Sequence, residues 1–502
     1  MNLLGYDLGS SSVKATILEA STGKCLATCS HPATEMGIDA PRPGWAEQDP
    51  EVWWRHLVSA TREALLKSGI KPESIVGLGV AYQMHGLVVV DKRCRVLRPA
   101  IIWCDSRAVA IGNRAFEDIG TGFCLGRLLN SPGNFTASKL KWIKDNEPDV
   151  YARIWKIMLP GDYAAMKMTG VACTTASGLS EGIFWDFKSN RVSETLMDYF
   201  GFAPSLLPDI VPTFGEQGTL RADAAQELGL PAGIPVAYRS GDQPNNAFSL
   251  KVLEPGEIAA TAGTSGVVYG VTRETRCDPQ SRVNMFAHVN HRPEEPRLGV
   301  LLCINGTGIL YSWLRENMFS GLDYAATNDL AAGVPPGSDG LLILPFGNGA
   351  ERMLANVETS CTMAGLNFNT HNRGHFARAA QEGIVFAFQY GIDIMKKLEI
   401  APAVIRAGNA NMFLSPVFRQ SLADLTGAVI ELYNTDGSQG AARGAGIGTG
   451  TYRSNSEAFA GLDRILVAHP DEGRGRALAA SYQKWLSFLG NQLGERQSFC
   501  GR

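Results

Sequence analysis

Twice in this chain an apolar strand runs into a turn of glycine and hydroxyl residues and leaves it as a second apolar strand. The first instance is Leu3-Leu4-Gly5-Tyr6, then Asp7-Leu8-Gly9-Ser10-Ser11-Ser12, then Val13 to Leu18. The second is Ile258-Ala259-Ala260-Thr261, then Ala262-Gly263-Thr264-Ser265-Gly266, then Val267-Val268-Tyr269. A hairpin theme that returns in the second half suggests a duplicated domain. At 502 residues the chain exceeds the roughly 250–300 residues at which single cores stop growing, so two domains are expected. The Pro/Gly punctuation at Leu230-Pro231-Ala232-Gly233-Ile234-Pro235 supplies a boundary, giving segments 1–237 and 238–502.

Around these hairpins the pattern alternates between strand and helix. Lys24 to Ser30 reads as a third strand. Asp49-Pro50-Glu51 starts a helix, with Asp as cap and Pro in the first turn. Ile75 to Ala81 reads as a strand ending at Gln83-Met84-His85-Gly86, and Lys139 to Ile143 as helix. Ser177 to Phe187 reads as a loop, and Ser240-Gly241-Asp242-Gln243 as a turn. Phe376 to Leu398 is amphipathic, Val404 to Ala407 a strand, and Ser415-Pro416 opens a helix that stops at Gly427. Gly440 to Gly446 forms a small-residue helix that another group could approach closely, and Leu478 to Leu493 a closing surface helix. The alternation argues for an α/β layer architecture.

A turn rich in Gly and Ser offers backbone N–H groups and hydroxyls that can cradle phosphate. A carboxylate beside it, Asp7, suits a phosphate-bound Mg²⁺. An ordinary hairpin with a structural Asp reads the same way. No Gly-x-x-x-x-Gly-Lys-Ser/Thr run occurs, so this is not a P-loop. Gly9 to Ser12, Gly263 to Gly266 and Gly408 to Asn411 each follow an apolar run. Three such turns, with Asp7 and Asp242, point to nucleotide phosphoryl transfer, where one residue orients the nucleophile. Asp242 is the candidate base, with a turn-stabilising Asp as the alternative. His85 reads either as a core histidine or as a sugar-hydroxyl contact. Trp103 reads either as a lid over an Asp105/Arg107 salt bridge or as a platform for a sugar.

Composition removes other classes. A net charge of −3 gives no electrostatic case for nucleic acid or an anionic membrane. The ten cysteines form no CxxC pair and read as buried free thiols; His288 and His291 lack the companions of a metal site. No apolar stretch reaches membrane length and no signal peptide is visible, so a soluble cytoplasmic protein is expected.

The ordered motifs resemble those of the FGGY carbohydrate kinases, the xylulokinase branch most closely. The resemblance runs through Asp7 to Ser11, Gly44 to Pro50, Gln83-Met84-His85-Gly86, Leu97 to Trp103 with Asp105 and Arg107, Phe135 to Leu140, Leu159 to Tyr163, Gly241-Asp242 and Gly263 to Gly266. It implies two ribonuclease H-like domains around a cleft, as in actin, hexokinase and the heat-shock chaperone ATPases. Sugar would lie on the first domain and MgATP mainly on the second. It implies Asp242 as catalytic base and Asp7 as the acidic residue near Mg²⁺. Met84, His85, Trp103, Asn134, Asp242 and Gln243 would contact D-xylulose. Ser10, Ser11, Ser12, Lys14, Gly263, Thr264, Gly408 and Asn409 would contact ATP. A homodimer is also implied. The chain departs from the family pattern at Cys104, Ser106, Asn134 and Gln243, and at Ala407-Gly408-Asn409-Ala410, where a triple glycine is usual.

Overall fold

The computed structural model describes residues 1–500, with side chains described to residue 494. The first sheet contains β1 (Asn2–Leu8), β2 (Val13–Glu19), β3 (Cys25–His31), β4 (Ile75–Tyr82) and β5 (Val236–Gly241), in the order β5-β4-β1-β2-β3. β1, β2 and β3 are antiparallel, whereas β4 and β5 run parallel to β1. The division expected at 237/238 therefore runs through a strand of this sheet; the sheet continues to Gly241 before the chain leaves it.

The second sheet holds β6 (Ile258–Ala262), β7 (Gly266–Thr272), β8 (Asn284–Ala287), β9 (Leu298–Ile304), β10 (Val404–Gly408), β11 (Val429–Tyr433) and β12 (Arg464–Ala468), ordered β8-β9-β7-β6-β10-β11-β12. Its inner five strands repeat the first sheet: β6 pairs antiparallel with β7, β7 with β9, and β10 and β11 run parallel to β6. Two sheets of one topology make the chain a duplicated α/β protein, as the repeated hairpin implied.

Helices among the described residues flank the two sheets. In the first half they are α1 (Pro50–Ser68), α2 (Thr136–Asn146), α3 (Ala176–Glu181) and α4 (Asp242–Ser249). In the second they are α5 (Gly308–Asn317), α6 (Arg373–Lys396), α7 (Pro416–Thr426), α8 (Gly437–Gly448) and α9 (Glu472–Cys500). Local chemistry sets their ends. Asp49 caps α1 by accepting from Glu51 N, and Gly69 closes it with φ 64°. Ser415 and Gly427 do the same for α7. α9 exceeds the expected span and buries Leu478, Tyr482, Trp485 and Leu489, because its apolar residues recur at helical spacing.

The two halves are tied by α8, which belongs to the second by sequence and lies on the first sheet. An alanine Cβ at Gly5 would stand 2.0 Å from Ser438 O, and one at Gly79 2.0 Å from Ala441 O. Glycine in the strands and small residues in the helix thus let backbone meet backbone. The buried Thr16 and Ser438 hydroxyls seal the contact at 2.7 Å.

Two expectations need correction. Residues 176–181 form helix α3, capped by the Thr175 hydroxyl accepting from Gly178 N, although the run 177–187 reads as a loop. The cysteines are free among the described residues, but Cys25, Cys104 and Cys303 are exposed rather than buried. No helix among the described residues is long and apolar enough to cross a membrane.

Candidate active site

Asp7 sits one residue from the end of β1, opposite Lys14 on β2. The turn between them closes with Gly9 N donating to Ser12 O at 3.0 Å. Asp242 arrives from the other direction: β5 ends at Gly241, and Asp242 is the first residue of α4 rather than part of a free turn. Both carboxylates line one cavity of about 270 Å³, together with Gly9, Ser10, Ser11, Ser12, Lys14, Gln83 and Trp103. Residues 235 positions apart are brought together because β1 and β5 flank β4 in the same sheet.

Burial dominates the electrostatics of this pair. It pushes Asp7 up to about 6, Lys14 opposing the shift and Asp436 adding to it. Burial and the Asp7 carboxylate push Asp242 up to about 7, against hydrogen bonds from Gln243. The pair titrates as a coupled unit around neutrality, where a general base is most useful. The N-terminus of α8 presses on Asp7, since a Cβ at Gly437 would lie 2.4 Å from Asp7 Oδ2. The surroundings are therefore hard oxygens: Asp7, Asp242, Asp436 and three serine hydroxyls. This donor set fits Mg²⁺, which prefers carboxylates, waters and phosphate oxygens. Among the described residues no group of three or more His, Cys, Asp or Glu could hold a metal by itself. The ion would share its coordination with a phosphate.

Beside Asp242 the chain builds a polar wall. Met84 is buried against Gly241, where a Cβ would stand 2.6 Å from Met84 Cγ. His85 adopts φ 61°. Its Nδ1 lies 3.0 Å from Glu181 O, a carbonyl that can only accept, so Nδ1 carries the proton and Nε2 remains an acceptor. Burial and Lys139 hold the ring neutral, at about 3. Lys139 Nζ donates to His85 O at 2.8 Å and fixes the strained loop. Gln243 is half-buried and hydrogen-bonds Asp242. Asn134 donates from Nδ2 to Asp105 O, leaving its buried Oδ1 without a partner. Gln83 Oε1 is likewise unpartnered. Buried acceptors without donors are costly, and sugar hydroxyls are suitable donors.

Trp103 is 52% exposed at the cavity mouth, and its Nε1 donates to Ser10 Oγ at 3.3 Å. Its neighbours Asp105 and Arg107 point elsewhere. Asp105 is fully buried, accepts from Ala46 N and pairs with Arg107 at 2.6 Å. Arg107 lies over the Trp45 ring at 3.7 Å and the Trp142 ring at 4.8 Å. The salt bridge is structural, while the indole belongs to the cavity.

Glu181 was not singled out by sequence. It ends α3, wholly inside the protein, with Oε1 unpartnered and burial and Asp242 holding its carboxyl well above the usual range. A Cβ at Gly241 would meet Glu181 Oε2 at 2.4 Å, so the carboxyl packs directly on the Gly241–Asp242 junction.

The second hairpin opens a different pocket. Gly263 O accepts from Gly308 N at 2.9 Å and Thr264 O from Ile309 N at 3.1 Å, pinning the turn to the start of α5. Gly263 and Thr264 line a cavity of about 460 Å³ with Ile309, Tyr311, Tyr324, Asn328, Asn411 and Leu414 among its walls. Its size and mixed apolar lining suit a purine nucleoside. Gly408 and Asn409 are not among the lining residues; Asn409 N is engaged with Tyr433 O at 3.0 Å, and Asn411, Met412 and Leu414 take the wall instead.

The chain matches the model of the FGGY family of carbohydrate kinases, N-terminal domain, over residues 2–249, and the C-terminal domain over residues 258–448. It is 30% identical over 446 residues to a xylulose kinase of Klebsiella pneumoniae, covering 88% of each chain. It is 29% identical over 498 residues to an L-xylulose/3-keto-L-gulonate kinase of Escherichia coli K12, covering 96% of this chain and 95% of that one. The crystal structure of xylulose kinase from Rhodospirillum rubrum superimposes with a TM-score of 0.87 at 26% identity, over 98% of this chain and 99% of that one.

Proposed function

The chain belongs to the FGGY family of carbohydrate kinases, and we propose that it transfers the γ-phosphoryl group of ATP to the terminal 5-hydroxyl of D-xylulose, releasing ADP and D-xylulose 5-phosphate. The observation that carries this reading is the shared cavity of Asp7 and Asp242. The sugar enters beside His85, Asn134 and Gln83, whose free acceptors take hydroxyl protons, with Gln243 next to Asp242. Trp103 covers it from the mouth. Asp242 accepts the proton of the attacking hydroxyl, and its raised affinity for protons matches a base that must be ionised at neutral pH yet receive a proton during transfer.

The adenosine part occupies the pocket behind Gly263 and Thr264, and the phosphates reach towards Ser10, Ser11, Ser12 and Lys14. Asp7 would hold Mg²⁺, which would supply neutralisation of phosphate charge. Phosphoryl transfer requires little else from the protein than positioning and electrostatics. The relatives named as xylulose kinases support D-xylulose as the acceptor. A kinase for another ketose or polyol is the second reading, favoured by the similarity to an L-xylulose kinase.

A coupled ADP-release assay across pentuloses, hexuloses and polyols separates them. The expected result is the highest kcat/KM with D-xylulose and negligible ATP turnover without sugar. A higher value on another acceptor removes D-xylulose from the proposal. Sugar-independent turnover would assign the cleft to an actin-like or chaperone-like ATPase.

A further inference from the structure

A cavity of about 370 Å³ in the second half shares no lining residue with the cleft or with the nucleoside pocket. Pro416 and Val417 at the start of α7, with Leu466 and Val467 on β12, give it a carbon surface. Three guanidinium groups border it: Arg378 from α6, Arg419 from α7 and Arg474 from α9. The one carboxylate in the lining, Asp424, is already engaged. It accepts from Gln420 Nε2, Asp471 N and Arg474 Nε, each at 2.7 Å.

The three cations are unequally matched. Arg474 is held by Asp424, and Arg378, 8% exposed, donates from Nε to Glu382 Oε1 at 2.8 Å. Glu382 is itself divided, accepting also from Gly337 N at 3.0 Å and Ser338 Oγ at 2.8 Å. Arg419 has no carboxylate in ion-pair range among the described residues. Its Nη1 donates instead to Phe413 O at 3.3 Å and Leu414 O at 3.0 Å. Burial pulls its guanidinium below the ordinary value. A cation in that state gains from an anion, and the guanidinium fork fits a phosphate bidentately. The apolar lining beside it suits the carbon body of an ester.

The carbonyls that hold Arg419 belong to the chain that walls the nucleoside pocket. Leu414 and Ser415 line that pocket, whereas Pro416, Val417 and Arg419 line this one, so one strip of chain lies between the two. Ser415 Oγ donates to Gln381 Oε1 at 2.7 Å. Gln381 Nε2 donates to Tyr311 OH at 2.7 Å and to Asn328 Oδ1 at 3.1 Å, two more residues of the nucleoside wall. An anion on Nε and Nη2 of Arg419 leaves the Nη1 bonds in place. It fixes the arginine and, through those bonds, the strip.

We propose that this cavity binds a small phosphate monoester, its phosphate between Arg378 and Arg419, and that occupancy tightens ATP binding through residues 413–415. The coupling rests on the reading of the second pocket as the nucleotide site; the binding site does not. Because coupling between two sites is reciprocal, ATP raises the affinity for the ester by the same factor.

The test titrates the whole chain with D-ribose 5-phosphate and, separately, with inorganic phosphate, by calorimetry, in wild type, Arg419→Met and Ala332→Glu. Ala332 is an exposed lining residue, so a glutamate there brings a competing carboxylate to the cavity without entering a core. Wild type should bind the ester more tightly than inorganic phosphate, and its affinity for the ester should fall about tenfold or more in both variants. At saturating sugar, saturating ester should lower KM for ATP about fivefold in wild type and leave it unmoved in both variants. Equal affinity for the two probes overturns the ester and makes free phosphate the ligand. A phosphate that competes in the catalytic cleft raises KM for ATP equally in all three proteins. That result, or an affinity unchanged in Ala332→Glu, overturns the proposal and leaves the kinase reading standing. Binding without any change of KM in wild type overturns the coupling. Absence of sugar-dependent ATP turnover overturns the kinase reading, and calorimetry still decides the site. If Arg419→Met does not fold, Ala332→Glu decides alone.

Discussion

The two hairpins share a topology and differ in charge. In the first, Asp7 lies two residues before Gly9 and faces Lys14 across the ladder. In the second, the corresponding place before Gly263 is Thr261, and it faces Val267. The first hairpin opens on a cavity with two carboxylates and a lysine; the second opens on a larger one walled by Ile309, Tyr311, Met412 and Leu414, without a charged residue. In the proposed reaction, one copy of the motif handles ions and protons, and the other receives a neutral base and sugar. Duplication supplies the shared geometry, and a few side chains divide the labour.

The sharpest way to break this division is at the carboxylates. Asp242→Asn should lower kcat about 10³-fold, the range in which a positioned base contributes, with the folded state intact by circular dichroism. Asp7→Asn should cost about 10²-fold and raise the Mg²⁺ concentration needed for half-maximal rate. Its counterpart, Thr261→Val, should change kcat less than about tenfold. Equal losses at Asp7 and Thr261 in a steady-state assay would mean the hairpins are not differentiated.

Titration gives a second test. The folded carboxyl of Asp242 binds its proton up to about 7, while the unfolded chain releases it near the ordinary value of 3.8. Between those values the native state holds the extra proton, so stability falls as pH rises through this window. Asp242→Asn removes the penalty, and the variant should unfold at a higher denaturant midpoint than wild type at pH 8. An advantage of about 1 kcal/mol or more is expected, since one pKa unit is worth about 1.4 kcal/mol, and it should vanish near pH 4. The rate runs the other way: kcat/KM should rise with pH and level off above about 7. A variant less stable than wild type at pH 8 would show that Asp242 is not strained by its surroundings.

The sequence carried the hairpins, the helix caps at Asp49, Ser415 and Gly427, and both carboxylates of the shared cavity, because each has a local signature in spacing or turn chemistry. Glu181 had none. Its run Ala176-Ser177-Gly178-Leu179-Ser180 is rich in turn formers and reads as loop, yet the chain folds it as a helix whose residues are nearly all buried. Tertiary burial overrode local propensity there. The contact of Arg352 with the Phe135 ring, 5.9 Å from guanidinium to centroid, was invisible for another reason: it joins the two halves, and no pattern within either half records it. The loop from Gly408 to Asn411 stands out both as a Gly-rich turn after an apolar run and by resemblance; of it Asn411 lines the pocket, with Met412 beyond it, whereas Gly408 and Asn409 do not.

The gentlest test lies within the second hairpin's neighbourhood, where two glycines make opposite demands on space. A Cβ at Gly308 would sit 2.3 Å from Gly263 O, inside the contact that pins the turn to α5. One at Gly408 would find its nearest neighbour, Thr435 O, at 3.7 Å, an ordinary van der Waals distance. Gly308→Ala should therefore displace the turn and raise KM for ATP about tenfold with little change in KM for sugar, as the nucleoside wall moves and the first hairpin does not. Gly408→Ala should leave both constants within about twofold, because the added methyl group makes only an ordinary contact with Thr435 O and the residue lies outside the wall. If Gly408→Ala instead weakens ATP as much as Gly308→Ala does, the strand end at Gly408 touches the nucleotide after all, and the boundary drawn between the two turns is wrong.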